Sequence, residues 1–366
     1  MATMSYKCPN CDGPLKFDPD KQKFTCEFCL GEFAPDQVQQ MNEEKEQRET
    51  YDEQEVRHAE QQQQQAKEAG EENADEDYAV SYTCPSCGAE IVTTATTAAT
   101  TCFYCYNPVV LGSRLSSDFK PDKVIPFELS KDKAIERFLA MCGKKWFLPR
   151  GFAGKQQFEK LNGVYFPYWY ADEQKTAHLT ATGKKIRTWR SGNKEYTETR
   201  IFHVVRGGDV IIKNVFERAL KSESREMLQS VHPYDMSKAQ PFAMSYLSGF
   251  QAEKRDLEKK DVEPVIEQKM HEYAEQVLKN TMEGYDIIET ESFNEKTELA
   301  AYNYNLMPVW MVTYKFNGEI IPFAINGQTG KAYGHLPVAP GKLAAVSAVI
   351  AVIIFLIGVL GGMLFL

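Results

Sequence analysis

Histidine is scarce in this sequence, six in 366 residues, and no two stand at metal-ligand spacing. That argues against a histidine-built metalloenzyme. Gly-x-Ser-x-Gly, His-Glu-x-x-His and a complete phosphate loop are missing too, so no nucleophile elbow, zincin or nucleotide motor is legible. The nearest approach is Asn326-Gly327-Gln328-Thr329-Gly330-Lys331. Two residues separate its glycines where a Walker loop has four, and no helix is expected after it, so it reads as a β-turn. His178, His203, His232, His271 and His335 therefore read as structural side chains and His58 as an exposed polar one.

An apolar stretch near the start is also lacking. Met1 to Cys11 has no small-residue cleavage site either, so no secretory signal is expected. Without export, the nine cysteines have no oxidising compartment in which to pair. The long apolar run comes instead at Leu343 to Leu366, 24 consecutive residues without charge, histidine or proline. At about 1.5 Å per residue this helix reaches roughly 36 Å, enough for a hydrocarbon core of about 30 Å. A soluble helix of that length would carry a polar stripe, and none is visible. Residues 343–366 are thus expected to be a transmembrane helix, a tail anchor in the cell membrane with the N-terminus and soluble domains in the cytoplasm. Lys342 just before it, with no basic residue beyond, agrees with the positive-inside rule. Gly358 and Gly362 form a Gly-x-x-x-Gly pair, which offers a homodimer contact.

What is present in quantity is paired cysteine. Cys8, Cys11, Cys26 and Cys29 form one set of two Cys-x-x-Cys pairs, and Cys84, Cys87, Cys102 and Cys105 repeat it at an offset of 76 residues. Ser5-Tyr6 and Pro9 recur at the same offset as Ser81-Tyr82 and Pro85, which marks an internal duplication. Each set has 14 residues between its pairs, just short of the roughly 15 to 20 usual for such sites. Two Cys-x-x-Cys turns on neighbouring hairpins complete a tetrahedral sulfur shell, which zinc prefers over rubredoxin-like iron or redox dithiols in this setting. Four sulfurs leave no open position, so two Zn2+ ions are expected, both structural. Leu15 to Thr25 reads as strand, turn, strand, and Glu90 to Thr101 is rich enough in β-branched residues for two strands. Modules this small need the metal to fold.

Nucleic-acid binding by the ribbons is disfavoured by charge. Residues 5–33 carry four lysines against five acids, and residues 81–110 carry Glu90 alone, so neither has the basic face that phosphates require. Phe28, Phe103 and Tyr104 read as packing residues of the ribbons. Between the ribbons, residues 42–78 hold 11 Glu and 3 Asp against Lys45, Arg48, Arg57 and Lys67. That net of −10 against −9 for the whole chain leaves the remainder near neutral. With no apolar heptads, the segment reads as a solvated helix or disordered tether that lets the first ribbon sample space.

The domain at 118–338 mixes helix and strand. Ser130 starts a helix with Ile135, Phe138, Leu139 and Cys142 on one stripe, which buries the ninth cysteine. Gly163 to Asp172 is an aromatic strand, and separate strand-like runs follow through residue 215, with Gly192-Asn193 as a hairpin turn. A helix is expected from Val262 to Met282 with Ile266, Met270, Tyr273, Val277 and Leu278 inward. Asn317-Gly318 is a second hairpin signal, and Pro-x-Trp at 167–169 and 308–310 hints at two related strands. These signals make an antiparallel α+β domain.

The stretches KVIPFELSKDKA, GVYFPYWY, PYDMSKAQPFAMSYLSGFQAE and PVWMVTYKFNGEIIPFAINGQTGKAYGHLP, with the ribbons and the apolar tail, resemble bacterial membrane-anchored zinc-ribbon proteins. These are labelled as transcription-factor-IIB-type ribbon proteins or as primosomal-helicase-like. The helicase label concerns the ribbon alone, and helicase activity is not expected because no motor motif is present. The expected architecture is ribbon at 1–35, acidic linker at 36–79, ribbon at 80–112, α+β domain at 118–338 and membrane helix at 343–366. The expected function is non-enzymatic: a cytosolic adapter platform that docks other proteins. The alternatives are a membrane-tethered nucleic-acid-binding protein and an enzyme with an unrecognised site in the 118–338 domain.

Overall fold

The computed structural model describes residues 5–41, 80–84, 87, 90–93, 96–102, 107–111, 115, 119–149, 152, 161–221, 225–316, 319–334 and 336–364. The acidic segment, with His58, lies outside these, as do Phe103, Tyr104, Cys105, Asn317, Gly318 and His335.

Each cysteine module is built from hairpins. In the first, β1 (Leu15–Asp18), β2 (Lys23–Cys26) and β3 (Glu32–Phe33) form a small antiparallel sheet. In the second, β4 (Val80–Thr83) pairs β5 (Glu90–Thr93), while β6 (Thr97–Thr101) pairs β7 (Pro108–Val110). The duplication seen in the cysteines therefore extends to the strands.

The large sheet is mixed but mostly antiparallel, ordered β11-β8-β13-β9-β12-β6-β7, with β10 on β9 and β14 and β15 continuing from β13. Its short members are β8 (Lys123–Val124), β11 (Gln240–Pro241), β12 (Gln251–Glu253), β14 (Glu319–Asn326) and β15 (Ala332–Gly334). Three others are exceptional in length: β9 (Asn162–Ser191), β10 (Lys194–Arg218) and β13 (Ile287–Phe316). The separate runs expected between 163 and 215 are in fact two continuous strands joined at Gly192-Asn193, where Gly192 takes a φ of 62°. Thirty residues at about 3.3 Å each make a strand of roughly 100 Å. The three form an arm whose last stretch, beyond the Lys184–Ile287 pairing, consists of β9 and β10 alone.

The base of the arm holds the main core. Phe127 stacks on Phe250 at 4.2 Å and meets Tyr165 and Trp310 at 5.1 and 4.9 Å. The two Pro-x-Trp segments are neighbours on paired strands, with Leu306 opposite Pro167 and Pro308 opposite Tyr165. Each Trp donates its ring N–H to a loop carbonyl, Trp169 to Leu257 and Trp310 to Leu129.

Besides a helical stretch at 35–41, the described residues form the helices α1 (Lys131–Gly143), α2 (Arg225–Ser230), α3 (Lys259–Asn280) and α4 (Pro340–Leu364). In α1, Phe138 and Cys142 are buried and Ile135 and Leu139 pack at the core edge, as the stripe predicts. In α3 the buried line is Val262, Ile266, Met270, Ala274 and Leu278, whereas Tyr273 and Val277 are exposed. The large apolar side chains suggest the wrong flank, because Ala274 marks where the helix backbone comes close to the sheet. That approach uses small residues on β9: Ala177, Ala181 and Gly183 face the helix side, and a Cβ on Gly183 would sit 2.6 Å from the Tyr285 ring. The opposite face is open, with Ile201, Val205, Ile211 and Leu299 exposed.

Under α3 the sheet buries an ionic trio. Lys175 Nζ lies 3.0 Å from both a Glu173 and a Glu295 oxygen, with side-chain exposures of 4%, 2% and 17%. Burial alone would lower the Lys175 pKa, but the two carboxylates outweigh it and raise it.

His232 is buried in the neighbouring cluster, stacked on Phe216 at 3.6 Å and edge-on to Tyr168 and Tyr234. Burial, with Lys331 and Lys269 nearby, pulls its pKa from 6.5 down to about 3. The folded state thus keeps it neutral while the unfolded chain protonates below about 6.5, so this contribution is present above that pH and is lost as pH falls. Between pH 7 and 4.5 the loss amounts to about 2–3 kcal/mol. His232→Phe is expected to flatten that part of the acid profile, compared with wild type by denaturation midpoints at the two pH values.

Candidate metal centres

The first centre is assembled by two knuckles of the same geometry. Cys8 N–H donates to the Gly13 carbonyl at 2.7 Å, and Cys26 N–H to the Gly31 carbonyl at 3.0 Å. Asp12 and Leu30 N–H groups then return to the Cys8 and Cys26 carbonyls at 2.8 and 2.9 Å. Both take left-handed backbone, with φ of 58° and 56°, which turns the chain tightly enough to aim each pair of sulfurs inward. Phe28 does not bury itself; it is 73% exposed and lies over Gly13, where a Cβ would meet its ring at 2.8 Å.

The four sulfurs converge. Cys8 Sγ lies 3.4 Å from Cys29 Sγ and Cys11 Sγ 3.4 Å from Cys26 Sγ, and all four fall within 4.8 Å of one another. These separations are far beyond a disulfide bond of about 2.05 Å. They approach the roughly 3.8 Å edge of a tetrahedron with metal–sulfur bonds near 2.3 Å. The group can hold a metal ion with no other donor required. The second centre repeats the arrangement with Cys84, Cys87 and Cys102, also within 4.8 Å, and with Cys87 and Cys102 sulfurs 3.8 Å apart. Cys102 N–H donates to the Asn107 carbonyl at 2.9 Å, the counterpart at offset 76 of the Cys26–Gly31 bond. Its expected fourth ligand, Cys105, is outside the described residues.

Electrostatics show the sulfurs competing for protons. The Cys29 N–H, followed by that of Phe28, faces the Cys26 sulfur and outweighs burial, holding its thiol down at about 7. Cys11 is pushed the other way, to about 12: the Gly13 N–H opposes the rise, but Cys26 beside it and partial desolvation prevail. Cys29 is raised too, against the pull of the Gly31 N–H, chiefly by Cys8. A cation entering this group must displace those protons, so loading weakens as pH falls.

The first cysteine module is docked rather than free to sample space. Leu15, Phe17 and Phe24 are buried, and Phe17 meets Tyr246 at 5.4 Å. Ser248 donates its hydroxyl to the Leu15 carbonyl at 2.5 Å, and Phe17 N–H returns to the Ser248 carbonyl at 3.2 Å. Gln22 Nε2 reaches the Phe127 carbonyl at 2.7 Å, and Lys133 pairs with Asp20 at 2.8 Å. A few residues further on, Ala252 of β12 pairs with Ala99 of β6, and Lys254 N–H donates to the Thr96 carbonyl. The stretch 246–254 therefore holds one cysteine module on each side. Removing the Ser248 hydroxyl (S248A) is expected to weaken docking by about 1 kcal/mol, read as faster hydrogen exchange of β1.

The histidines are not brought together among the described residues. His178 and His203 lie on the open face of the arm, the latter 3.6 Å from Glu291; His271 on α3 approaches Glu295 at 3.2 Å; His232 is internal. The Asn326–Lys331 turn also forms as read: Asn326 Oδ1 accepts from the Gln328 and Thr329 N–H groups, and Lys331 Nζ is bound to the His232 carbonyl. Its lysine, though exposed, is thus engaged by the chain's own backbone.

One feature escaped the composition-level reading. Residues 183–203, the far end of the arm, carry six Lys and Arg against two Glu, with Trp189 stacked on Tyr196 at 5.7 Å. The signal was there in Lys184-Lys185-Ile186-Arg187-Thr188-Trp189-Arg190, hidden because everything outside the acidic segment, this stretch included, sums to near neutrality.

At the C-terminal side, α4 contains a 19-residue stretch, Pro340–Gly358, with mean hydropathy 2.4 and none of it buried. By length and composition it is able to cross a membrane. Gly358 has open space around its Cα.

Among known proteins the chain is similar to the uncharacterized protein YdjG of Bacillus subtilis strain 168. The two are 30% identical over 236 residues, 64% of this chain and 69% of that one. No protein-family model and no solved structure matches.

Proposed function

The chain belongs to the family of the Bacillus subtilis protein YdjG, and from that premise we propose that it is a single-pass membrane protein that docks other proteins on its cytosolic side. In this reading α4 lies in the bilayer, and each cysteine module is a zinc ribbon whose metal is structural. An all-sulfur donor set at near-tetrahedral separations supports zinc, and sulfurs so grouped need a compartment that does not oxidise them, such as the cytosol. The observation that carries the reading is the arm. Both cysteine modules and the membrane helix belong to its base, while β9, β10 and β13 extend some tens of ångströms beyond with one face open. A rigid strand scaffold displaced from the bilayer is suited to presenting a surface.

Photocrosslinking in intact membranes tests this. A crosslinker at Ile201 or Leu299 on the open face is expected to capture a defined protein, and one at Tyr273, on the outer side of α3, is not. Absence of adducts from the open face would count against the adapter.

A second reading has its own support. A two-stranded β-ribbon fits the major groove of DNA, and the arm's far end is such a ribbon with a net charge of +4. If it binds nucleic acid, the detergent-solubilised chain should bind duplex or single strands with a steep salt slope, and R187Q/R190Q should reduce that slope by about 2. No binding at low salt removes this reading.

A further inference from the structure

Outside the centres and the arm, the described residues form a groove of about 830 Å³ between the end of α1 and the segment leading into α4. Lys144, Lys145, Trp146, Phe147, Leu336 and Val338 are among its lining residues, and none of the twelve is acidic. Trp146 is 83% exposed and Val338 55%. An indole left in water at that level is unusual for a side chain that normally buries a large apolar area.

Two hydrogen bonds fix this groove to the membrane helix. Ala339 N–H donates to the Phe147 carbonyl at 2.7 Å, and Lys342 Nζ donates to the Leu148 carbonyl at 2.7 Å. The residues joined to the groove are thus the one just before α4 and one in its first turn. If α4 crosses the bilayer, the groove is held at the depth of the lipid headgroups and cannot drift from it.

We propose that this groove is a lipid-contact site, in which Trp146 inserts among the acyl chains next to α4 while Lys144 and Lys145 bind the headgroup of an anionic phospholipid. The proposal rests on the membrane-spanning reading of α4. The chemistry is complementary on both counts. Tryptophan favours the interface, where its ring is apolar and its N–H stays wet, and lysines next to a span attract anionic headgroups. The Lys342 ammonium, already turned back to Leu148, adds a third positive charge at the same level. The site would set the orientation of the base, and so of the arm, relative to the membrane plane, which one helix alone leaves free to swivel.

The test uses the full chain reconstituted into vesicles of phosphatidylcholine with phosphatidylglycerol, the phosphatidylcholine carrying bromine high on its acyl chains as a contact quencher. Trp169 and Trp310 are buried in the core and Trp189 is on the arm, so Trp146 should supply most of the quenchable emission. W146F is expected to remove more than half of the quenching and W189F to leave it unchanged. Replacing phosphatidylglycerol by unbrominated phosphatidylcholine, with the brominated lipid held constant, should lower the quenching, and K144Q/K145Q should remove that difference. Protein that fails to float with vesicles overturns the spanning reading and this one together. Protein that floats, but whose quenching is untouched by W146F or is removed by W189F instead, overturns the groove alone.

Discussion

Cys26→Ser is expected to strip the first module of its metal and to release it from the domain. Cys26 is buried, its N–H closes one knuckle on Gly31, and its sulfur lies 3.4 Å from Cys11. A structural zinc contributes on the order of 10 kcal/mol to folding of such a module, more than its few buried side chains supply. Leu15, Phe17 and Phe24 add roughly 1.5–3 kcal/mol each through burial, but only while the hairpin that carries them exists. Metal analysis of the purified chain should fall from two equivalents to one, and hydrogen exchange in β1 and β2 should rise to near the unfolded rate. Cys142→Ser is the control. That thiol is buried on α1 away from both clusters, with its pKa raised by desolvation, and its loss should leave both equivalents in place. Two equivalents retained in Cys26→Ser would mean that this group is not a metal centre.

Lys175→Met should destabilise the arm by about 3–5 kcal/mol, the cost of leaving buried carboxylates without their cation. Glu173 and Glu295 would then face each other under α3 with little solvent to separate them. Adding Glu173→Met to that variant removes one of the two charges and should recover a large part of the loss. Urea denaturation in mild detergent, followed by tryptophan emission, reads both. A change below about 1 kcal/mol for Lys175→Met would mean the trio is solvated like a surface pair. The trio also explains how strands of this length keep one register. A one-residue slip of β9 would move Lys175 and Glu173 together to the open face and leave Glu295 buried without its cation.

Some of this was legible in the residues. The cysteine spacing, the two-residue hairpin at Gly192-Asn193 and the pairing of Phe316 with Glu319 around Asn317-Gly318 depend on short-range geometry, which a sequence states directly. The α3 stripe was half legible: the period was right, but the large Tyr273 and Val277 drew attention from Ala274, whose smallness is what admits the sheet. The strands of 25 and 30 residues were not legible at all. Polar runs such as Glu173 to Thr176 look like breaks until a helix covers one face and leaves the other wet.

The residues by themselves determined where the sulfurs lie along the chain, that they come in two equivalent sets, and that the chain carries one helix apolar enough for a bilayer. Spacing and hydropathy are properties of contiguous residues, so no partner is needed to read them. Only the tertiary structure decided that both modules grip the stretch 246–254, that three strands merge into one arm, and that Trp146 and its lysines stand at the foot of the apolar helix α4. Apart from the β9–β10 hairpin, those are contacts across a hundred residues or more, and their energy comes from surfaces that do not exist until the chain has closed on itself.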